Sequence, residues 1–364
     1  MYKIILCCSF FFYVSGSSLF INSNGFSNQI TSSIDNNGDL LYCSSSHSIE
    51  KKDKEVDNEY KNNKSFYDST SLYSSKSFSY VQYNCQTKII TEKNISITQS
   101  GSVKKNGNIG VGQTTSSFPT NNANSSNIFR DNRVDVDFIN MSKYQASAVS
   151  IFESKNYNYE NCVSSSFLIW NGMVVTSAHS VLSHKIFNTN MEVGFVPNDI
   201  SNRLSVTQIC QVKNVYVTYD FYNSGCYFNS MSEIEKNNDW ALLELDVNNI
   251  QNTYGSLTIG SNYTLGDVYY NSIGFPFDDQ FKMQSSFAKY SRSYDSNKYT
   301  LYSYITNGMS GGPVIGHYFD NETLEDYDVC VGINSYNVFY NNTMIYSGAN
   351  MISNNLICLA DFII

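Results

Sequence analysis

The stretch Gly308-Met309-Ser310-Gly311-Gly312-Pro313 decides how the rest of this chain is read. A serine hydroxyl attacks a carbonyl only where a base takes its proton and hydrogen-bond donors receive the oxyanion that forms. A glycine two residues before the serine leaves the backbone free to turn its N–H beside that of Ser310, so Gly308 and Ser310 are the expected oxyanion donors. Gly311, Gly312 and Pro313 then turn the chain back toward the apolar pair Val314-Ile315. The same residues also read as an ordinary Ser/Gly-rich turn, and the stretch alone does not separate the two readings.

A base is the next requirement, and only four histidines exist: His47, His179, His184 and His317. His179 closes Met173-Val174-Val175-Thr176-Ser177-Ala178-His179, a β-branched apolar run that passes into small residues. An imidazole at the end of such a buried strand is held firmly yet opens on a cleft, as a general base must. The orienting carboxylate is best supplied by Asp239, in Asn238-Asp239-Trp240-Ala241-Leu242-Leu243-Glu244-Leu245, where a polar loop enters a nearly continuous apolar strand. Glu244 and Asp246 have less apolar surroundings. Taken singly, a histidine at a strand end is an ordinary structural residue, and an acid before a strand is an ordinary solvated one.

Together the three segments fall in the order His, Asp, Ser, each with its own flanking pattern. Thr176-Ser177-Ala178-His179, Asp239-Trp240-Ala241-Leu242-Leu243 and Gly308-Met309-Ser310-Gly311-Gly312-Pro313 resemble the signature segments of chymotrypsin-like serine peptidases. Through Ile273-Gly274-Phe275-Pro276 and the run Leu301 to Ser310 the chain is similar to the V8-like and glutamyl endopeptidase branch, and the resemblance extends from about Arg130 to the C-terminus. It implies acyl transfer on protein or peptide substrates. His179 would be the base, Asp239 its orienting acid, Ser310 the nucleophile and the N–H groups of Gly308 and Ser310 the oxyanion hole, with no metal and no organic cofactor.

Where the chain departs from the family, specificity is affected more than chemistry. Met309 replaces the aspartate that captures the new N-terminus in trypsin-type enzymes, and Ser180 replaces a cysteine that many relatives carry after the histidine. In the S1 pocket, Ile305 and Asn334 stand where glutamyl endopeptidases use a threonine and a histidine, and Tyr304 stands where trypsin has its acid. An aliphatic group donates nothing to a carboxylate and an amide offers no charge, so a neutral or apolar P1 side chain is expected. Ile305 and Tyr304 read equally as core residues.

From Val134 onward the chain consists of many short apolar or alternating segments separated by Asn, Gly and Asp, the pattern of an all-β sandwich or barrel. The resemblance narrows this to two antiparallel six-stranded β-barrels, with His179 and Asp239 from the first, Ser310 from the second and the site between them. Asn354 to Phe362 reads as a closing helix capped by Ser353 and docked on a barrel.

The rest of the chain bears on where the protein works. Met1-Tyr2-Lys3, the apolar run Ile4 to Val14 and Ser15-Gly16-Ser17 have the three parts of a secretory signal peptide, expected over residues 1–17, and no later run is apolar enough to span a bilayer. Residues 18–130, rich in Ser, Asn, Lys and Tyr, are expected to form a largely disordered pro-region or spacer, with Lys88-Ile89-Ile90 and Ile95-Ser96-Ile97 as possible short strands. The peptidase domain is then 131–364, and Phe129-Arg130-Asp131-Asn132-Arg133-Val134 resembles the start of a mature unit, so that precursor cleavage is expected between Arg130 and Val134.

A net charge of -9 over 364 residues argues against nucleic acid as a partner, and a monomer is expected. Beyond Cys7 and Cys8 the cysteines are odd in number; Cys210 with Cys226, and Cys43 with Cys85, are the candidate disulfides. Asn63, Asn94, Asn124, Asn140, Asn262, Asn321 and Asn341 lie in glycosylation sequons. The competing reading is a catalytically silent, secreted peptidase-like protein used for binding or adhesion.

Overall fold

The computed structural model describes residues 3–6, 28–30, 76–97, 131, 133–135, 148–169, 172–195, 206, 208–225, 238–260, 269–279, 282–292, 298–320, 325–340 and 343–363. Before the first barrel come β1 (Lys3–Leu6), β2 (Asn28–Ile30), β3 (Lys76–Asn84), β4 (Ile90–Ile97) and β5 (Arg133–Asp135). There follow β6 (Val149–Lys155), β7 (Asn161–Leu168), β8 (Val174–Thr176), the short pair β9 (Leu182–Ser183) and β10 (Ile186–Phe187), β11 (Thr189–Phe195), β12 (Gln208–Thr218), helix α1 (Tyr219–Ser224) and β13 (Ala241–Leu245). After helix α2 (Gln251–Tyr254) come β14 (Tyr269–Gly274), β15 (Gln284–Arg292), β16 (Lys298–Tyr302), β17 (Pro313–Asp320), β18 (Glu325–Tyr340), β19 (Thr343–Met351) and helix α3 (Asn354–Phe362).

Strand pairing closes two rings. In the first, β11, β6, β7, β8, β13 and β12 are neighbours in that order and β12 returns to β11. In the second, β17, β14, β15, β16, β19 and β18 follow one another and β18 returns to β17. All these pairs are antiparallel, so the expected two six-stranded barrels are present. The strands bury aliphatic side chains on both faces, as in Val174, Val175, Leu242 and Leu243, and each such side chain taken from water stabilises the fold by roughly 1.5–3 kcal/mol. Ile169 bridges to Leu257 and Ile259 to Cys330, which joins the connection between the barrels to both of them.

Helix α3 matches its expected bounds. The Ser353 hydroxyl accepts from the Leu356 N–H, and Leu356, Ile357, Leu359 and Ala360 are buried.

The N-terminal region departs from the expectation. Residues 76–97, placed inside the largely disordered pro-region, form a packed hairpin. β3 pairs with β4 along its length and also takes the free edge of β12, with Val217 opposite Val81 and Val215 opposite Tyr83. β12 makes this possible by being long: its first half pairs with β11, and its second half leaves the ring with that edge open. Tyr80, Val81, Tyr83, Ile90 and Ile95 are buried in the main core. The Asn84 side chain receives the N–H groups of Gln86 and Thr87 and so closes the turn. The two expected short strands, 88–90 and 95–97, are the ends of β4 and its approach. Within the signal-type run, Lys3–Leu6 lies antiparallel on the edge of β18, opposite Tyr336 to Phe339.

Cys85 and Cys210 carry free thiols, which corrects both candidate disulfides; Cys43 and Cys226 lie outside the described residues. Cys210 points into the first barrel, where a small apolar side chain suffices. Of the sequons only Asn94 is described, exposed on β4. Among the described residues no helix is long and apolar enough to cross a membrane.

Candidate active site

β8 and β13 run antiparallel with Thr176 opposite Ala241, so the chain leaving β8 and the chain entering β13 meet at one end of the first barrel. His179 sits there on a single 3-10 turn, Ala178–Ser180, and Asp239 two residues before β13. The imidazole Nδ1 is 2.7 Å from Asp239 Oδ2, and the His179 backbone N–H donates to Oδ1 at 2.8 Å. Both side chains are wholly enclosed. A buried carboxylate is stable only with such bonds, and Asp239 receives another from the Ser335 hydroxyl, while its carbonyl accepts from Asn350 Nδ2 at 3.2 Å. With Nδ1–H given to the carboxylate, the neutral ring carries its lone pair on Nε2, the tautomer of a general base. Glu244, the less favoured acid, is engaged elsewhere, by Lys213, Asn214 and Tyr216.

The loop that carries Ser310 enters from the second barrel and is fitted against the first. Gly308 has φ +96°, and a Cβ there would lie 2.4 Å from the Phe275 carbonyl oxygen. Gly311 has φ +81°, and a Cβ would meet Thr176 Oγ1 at 2.1 Å, the Ser165 carbonyl oxygen at 2.2 Å and the Ser177 nitrogen at 2.9 Å. No side chain fits either place: Gly308 is set by contact with the turn of residues 275–277, and Gly311 by contact with the segment that leads into His179. Ser165 on β7 stitches the two together: its N–H donates to the Ser310 carbonyl at 2.8 Å and its hydroxyl to the Gly308 carbonyl at 2.7 Å. That hydroxyl also accepts from the Phe275 N–H at 2.8 Å.

The Asn307 carbonyl accepts from the Phe277 N–H at 2.7 Å, and the trans peptide therefore sends the Gly308 N–H the opposite way. Among the described residues neither this N–H nor that of Ser310 has a protein acceptor, so both remain able to donate. The Ser310 hydroxyl is enclosed and has no hydrogen-bond partner among the described residues. On the imidazole side Nε2 is 3.5 Å from the Ser177 hydroxyl, which also bonds the Ser180 hydroxyl at 2.7 Å.

The residues considered for S1 are placed differently from one another. Ile305 is buried and packs on Met309. Asn334 is fully enclosed: its Nδ2 donates to the Ile273 carbonyl at 3.0 Å, and its backbone exchanges bonds with Gly311 and Gly312. Tyr304 is half-buried, with the Arg133 guanidinium 5.2 Å above its ring.

Arg133 itself gave no signal in the sequence beyond a cleavage site, yet it clamps the start of the loop that carries Ser310. All five of its N–H donors are used: on both carboxylate oxygens of Asp131, on both of Asp278 and on the Thr306 hydroxyl. The two acids hold its pKa well above the ordinary arginine value against the cost of burial. Ser335, Ser165 and Ser177 were also missed. Ser335 and Ser165 are serines within strands with no flanking pattern to mark them, and Ser177, though inside the segment that ends in His179, was given no role of its own.

Residues 162–319, a little under half of the chain, match the family model described as a trypsin-like peptidase domain. No curated protein matches the chain in sequence. Among solved structures it is similar to a Glu endopeptidase in complex with MPD, at 16% identity and TM-score 0.48, over 64% of this chain and 97% of that one. It is similar also to the protease Anisep from Arthrobacter nicotinovorans, at 17% identity and TM-score 0.43, over 56% and 90%. The scabies mite inactivated protease paralogue S-I1 aligns at 11% identity and TM-score 0.43, over 61% and 96%.

Proposed function

We propose that this chain, whose chymotrypsin-like serine peptidase domain is the premise, is a secreted endopeptidase working through Ser310, His179 and Asp239. One observation carries the reading: an enclosed imidazole–carboxylate pair, with the serine loop seated so closely on the segment leading into His179 that Gly311 admits no Cβ beside Thr176 and Ser177. Ser310 Oγ attacks the scissile carbonyl as Nε2 of His179 takes its proton, and Asp239 stabilises the imidazolium. The N–H groups of Gly308 and Ser310 receive the oxyanion. His179 then protonates the leaving amine, and water releases the acyl group by the same route in reverse. In the substrate-bound state the Ser310 hydroxyl takes Nε2 in place of Ser177, which keeps Ser180 as its partner; such bonds tighten on binding. No step calls for a metal or an organic cofactor.

A peptide is the substrate class that suits the cleft. The edge of β18 just beyond Ser335 accepts an extended strand, as Lys3–Leu6 does, and main-chain bonds there would lay a substrate beside the site. The P1 side chain is neutral or apolar. Arg133 brings a positive charge near Tyr304, but Asp131 and Asp278 outnumber it, so the neighbourhood repels a glutamate. The net charge of -9 supports the absence of nucleic-acid partners, and we take the working unit to be a monomer.

Residues 1–17 are removed on export, and the precursor is cut between Arg130 and Val134. Arg133 is a poor residue for a processing enzyme to seize, being 9% exposed with every donor used, so the cut falls on the Arg130 side. A second reading, a silent peptidase-like binding protein, is favoured by the one missing bond, that from Ser310 to His179.

Digestion of denatured proteins separates them. Cleavage lost in Ser310→Ala is expected, and a folded protein that cuts nothing would leave the silent reading. Glutamate dominant at P1 would overturn the pocket assignment. A secreted protein whose N-terminus stays near Ser17 would overturn the processing step.

A further inference from the structure

The hairpin of residues 76–97 raises a question that the processing step sharpens: a cut near Arg130 severs it from the peptidase, yet it is packed as core. It fills the open edge of β12, and Tyr80, Val81, Tyr83, Ile90 and Ile95 share the main cluster of buried side chains. Among the described residues no covalent link other than the chain is found there, Cys85 being a free thiol.

Its contacts lead toward the catalytic base. Directly after His179 the chain makes the β9–β10 pair, two residues to a strand and outside both barrels. So small a pair depends on what packs against it. Phe187 of β10 is held between two rings: Tyr83 of the hairpin stacks on it at 4.6 Å and 2°, and Tyr222 of α1 at 5.9 Å and 17°. The next residue, Asn188, reaches back to the histidine turn. Its N–H donates to the Val181 carbonyl at 2.9 Å, and its Nδ2 to the Ser180 carbonyl at 2.9 Å. A short chain of contacts thus runs from Tyr83 through Phe187 and Asn188 to the turn that carries His179.

We propose that the hairpin is a resident part of the mature peptidase, which consists of two polypeptides held without covalent linkage, and that Tyr83 is a positioning residue for His179. The proposal rests on the reading of the chain as a processed peptidase, and its test keeps the two apart.

The full chain, with a site for a sequence-specific protease inserted after Arg130, is cut and passed over a native sizing column. Both fragments are expected to co-elute and to part only in denaturant. Elution of 131–364 alone, with amide protection at 178–188 intact, would overturn the proposal. In a second arm Tyr83→Ala in the full chain is expected to speed amide exchange at 178–188 while 314–316 and 329–333 stay protected. It should lower kcat roughly 10- to 100-fold with KM within about twofold, as loss of alignment does. Tyr83→Phe, which keeps the ring, should restore both. Unchanged exchange at 178–188 in Tyr83→Ala would sink the positioning role. Faster exchange in a protein that hydrolyses nothing would keep the brace and reject the peptidase reading. If Tyr83→Ala does not fold, the sizing experiment decides.

Discussion

The two sides of the cleft are held by opposite means. On the first barrel's side, His179 and Asp239 are fixed by side-chain bonds, and the carboxylate is met by the imidazole, a backbone N–H and the Ser335 hydroxyl. On the second barrel's side, Ser310 is fixed by backbone. Gly308 and Gly311 press against Phe275 and Thr176, Ser165 ties the loop at two carbonyls, and the serine hydroxyl itself bonds none of the described residues. The difference teaches which atoms are committed before substrate arrives. The imidazole and its carboxylate are a finished unit, whereas the Ser310 hydroxyl is positioned but left chemically uncommitted. Removing a side chain should therefore cost structure on one side only, and adding one should cost structure on the other.

The largest effect tests that asymmetry directly. Ser310→Ala and His179→Ala should each lower kcat by about a millionfold. Only Ser310→Ala should leave the melting temperature near that of the parent, because no bond is lost; a large drop for Ser310→Ala would contradict the comparison. Asp239→Asn comes next, at roughly 10⁴-fold in kcat, since an amide can hold the ring in the wrong tautomer. On the backbone side, Gly311→Ala should destabilise the protein by roughly 2–4 kcal/mol in a denaturant titration, combining left-handed strain with overpacking against Thr176 and Ser165. A neutral result there would mean that the loop is not wedged.

The smallest effect concerns acid. Burial pushes the Asp131 carboxyl up, but the bonds and charge of Arg133 outweigh it and hold the group below its usual range. A carboxylate with a lowered folded pKa contributes stability above about pH 4 and loses it as pH falls through the folded value. With the Asp131 side chain 45% exposed, the contribution is less than about 1 kcal/mol. The melting temperature of the parent should exceed that of Asp131→Asn near neutrality, and the gap should close in acid, once the folded-state carboxyl is protonated. A gap that persists there would remove Asp131 from the clamp.

What the sequence disclosed follows the same division. His179, Asp239 and Ser310 stand at junctions where an apolar strand meets a short polar segment, so their environment is written in neighbouring residues. The two barrels and helix α3 were legible for the same reason, through β-branched runs and the Ser353 cap. Partners brought together only by tertiary pairing were not. Ser335 reaches Asp239 across 96 positions and Ser165 reaches Gly308 across 143. Arg133 finds Asp278 and Thr306 only because β5 pairs with β15. The hairpin was misread because its serines and lysines give the composition of an unstructured tract. The alternation of Phe78 and Tyr80 with Ser77 and Ser79 was the overlooked strand signal.

The central claim is that Ser310 is a nucleophile activated by His179, and covalent labelling addresses it most directly. A fluorophosphonate incubated with the native protein, followed by peptide mass spectrometry, should place one adduct on Ser310. The adduct should vanish in His179→Ala and in unfolded protein. A folded protein that takes no label, or one labelled as fast without the imidazole, would contradict the account.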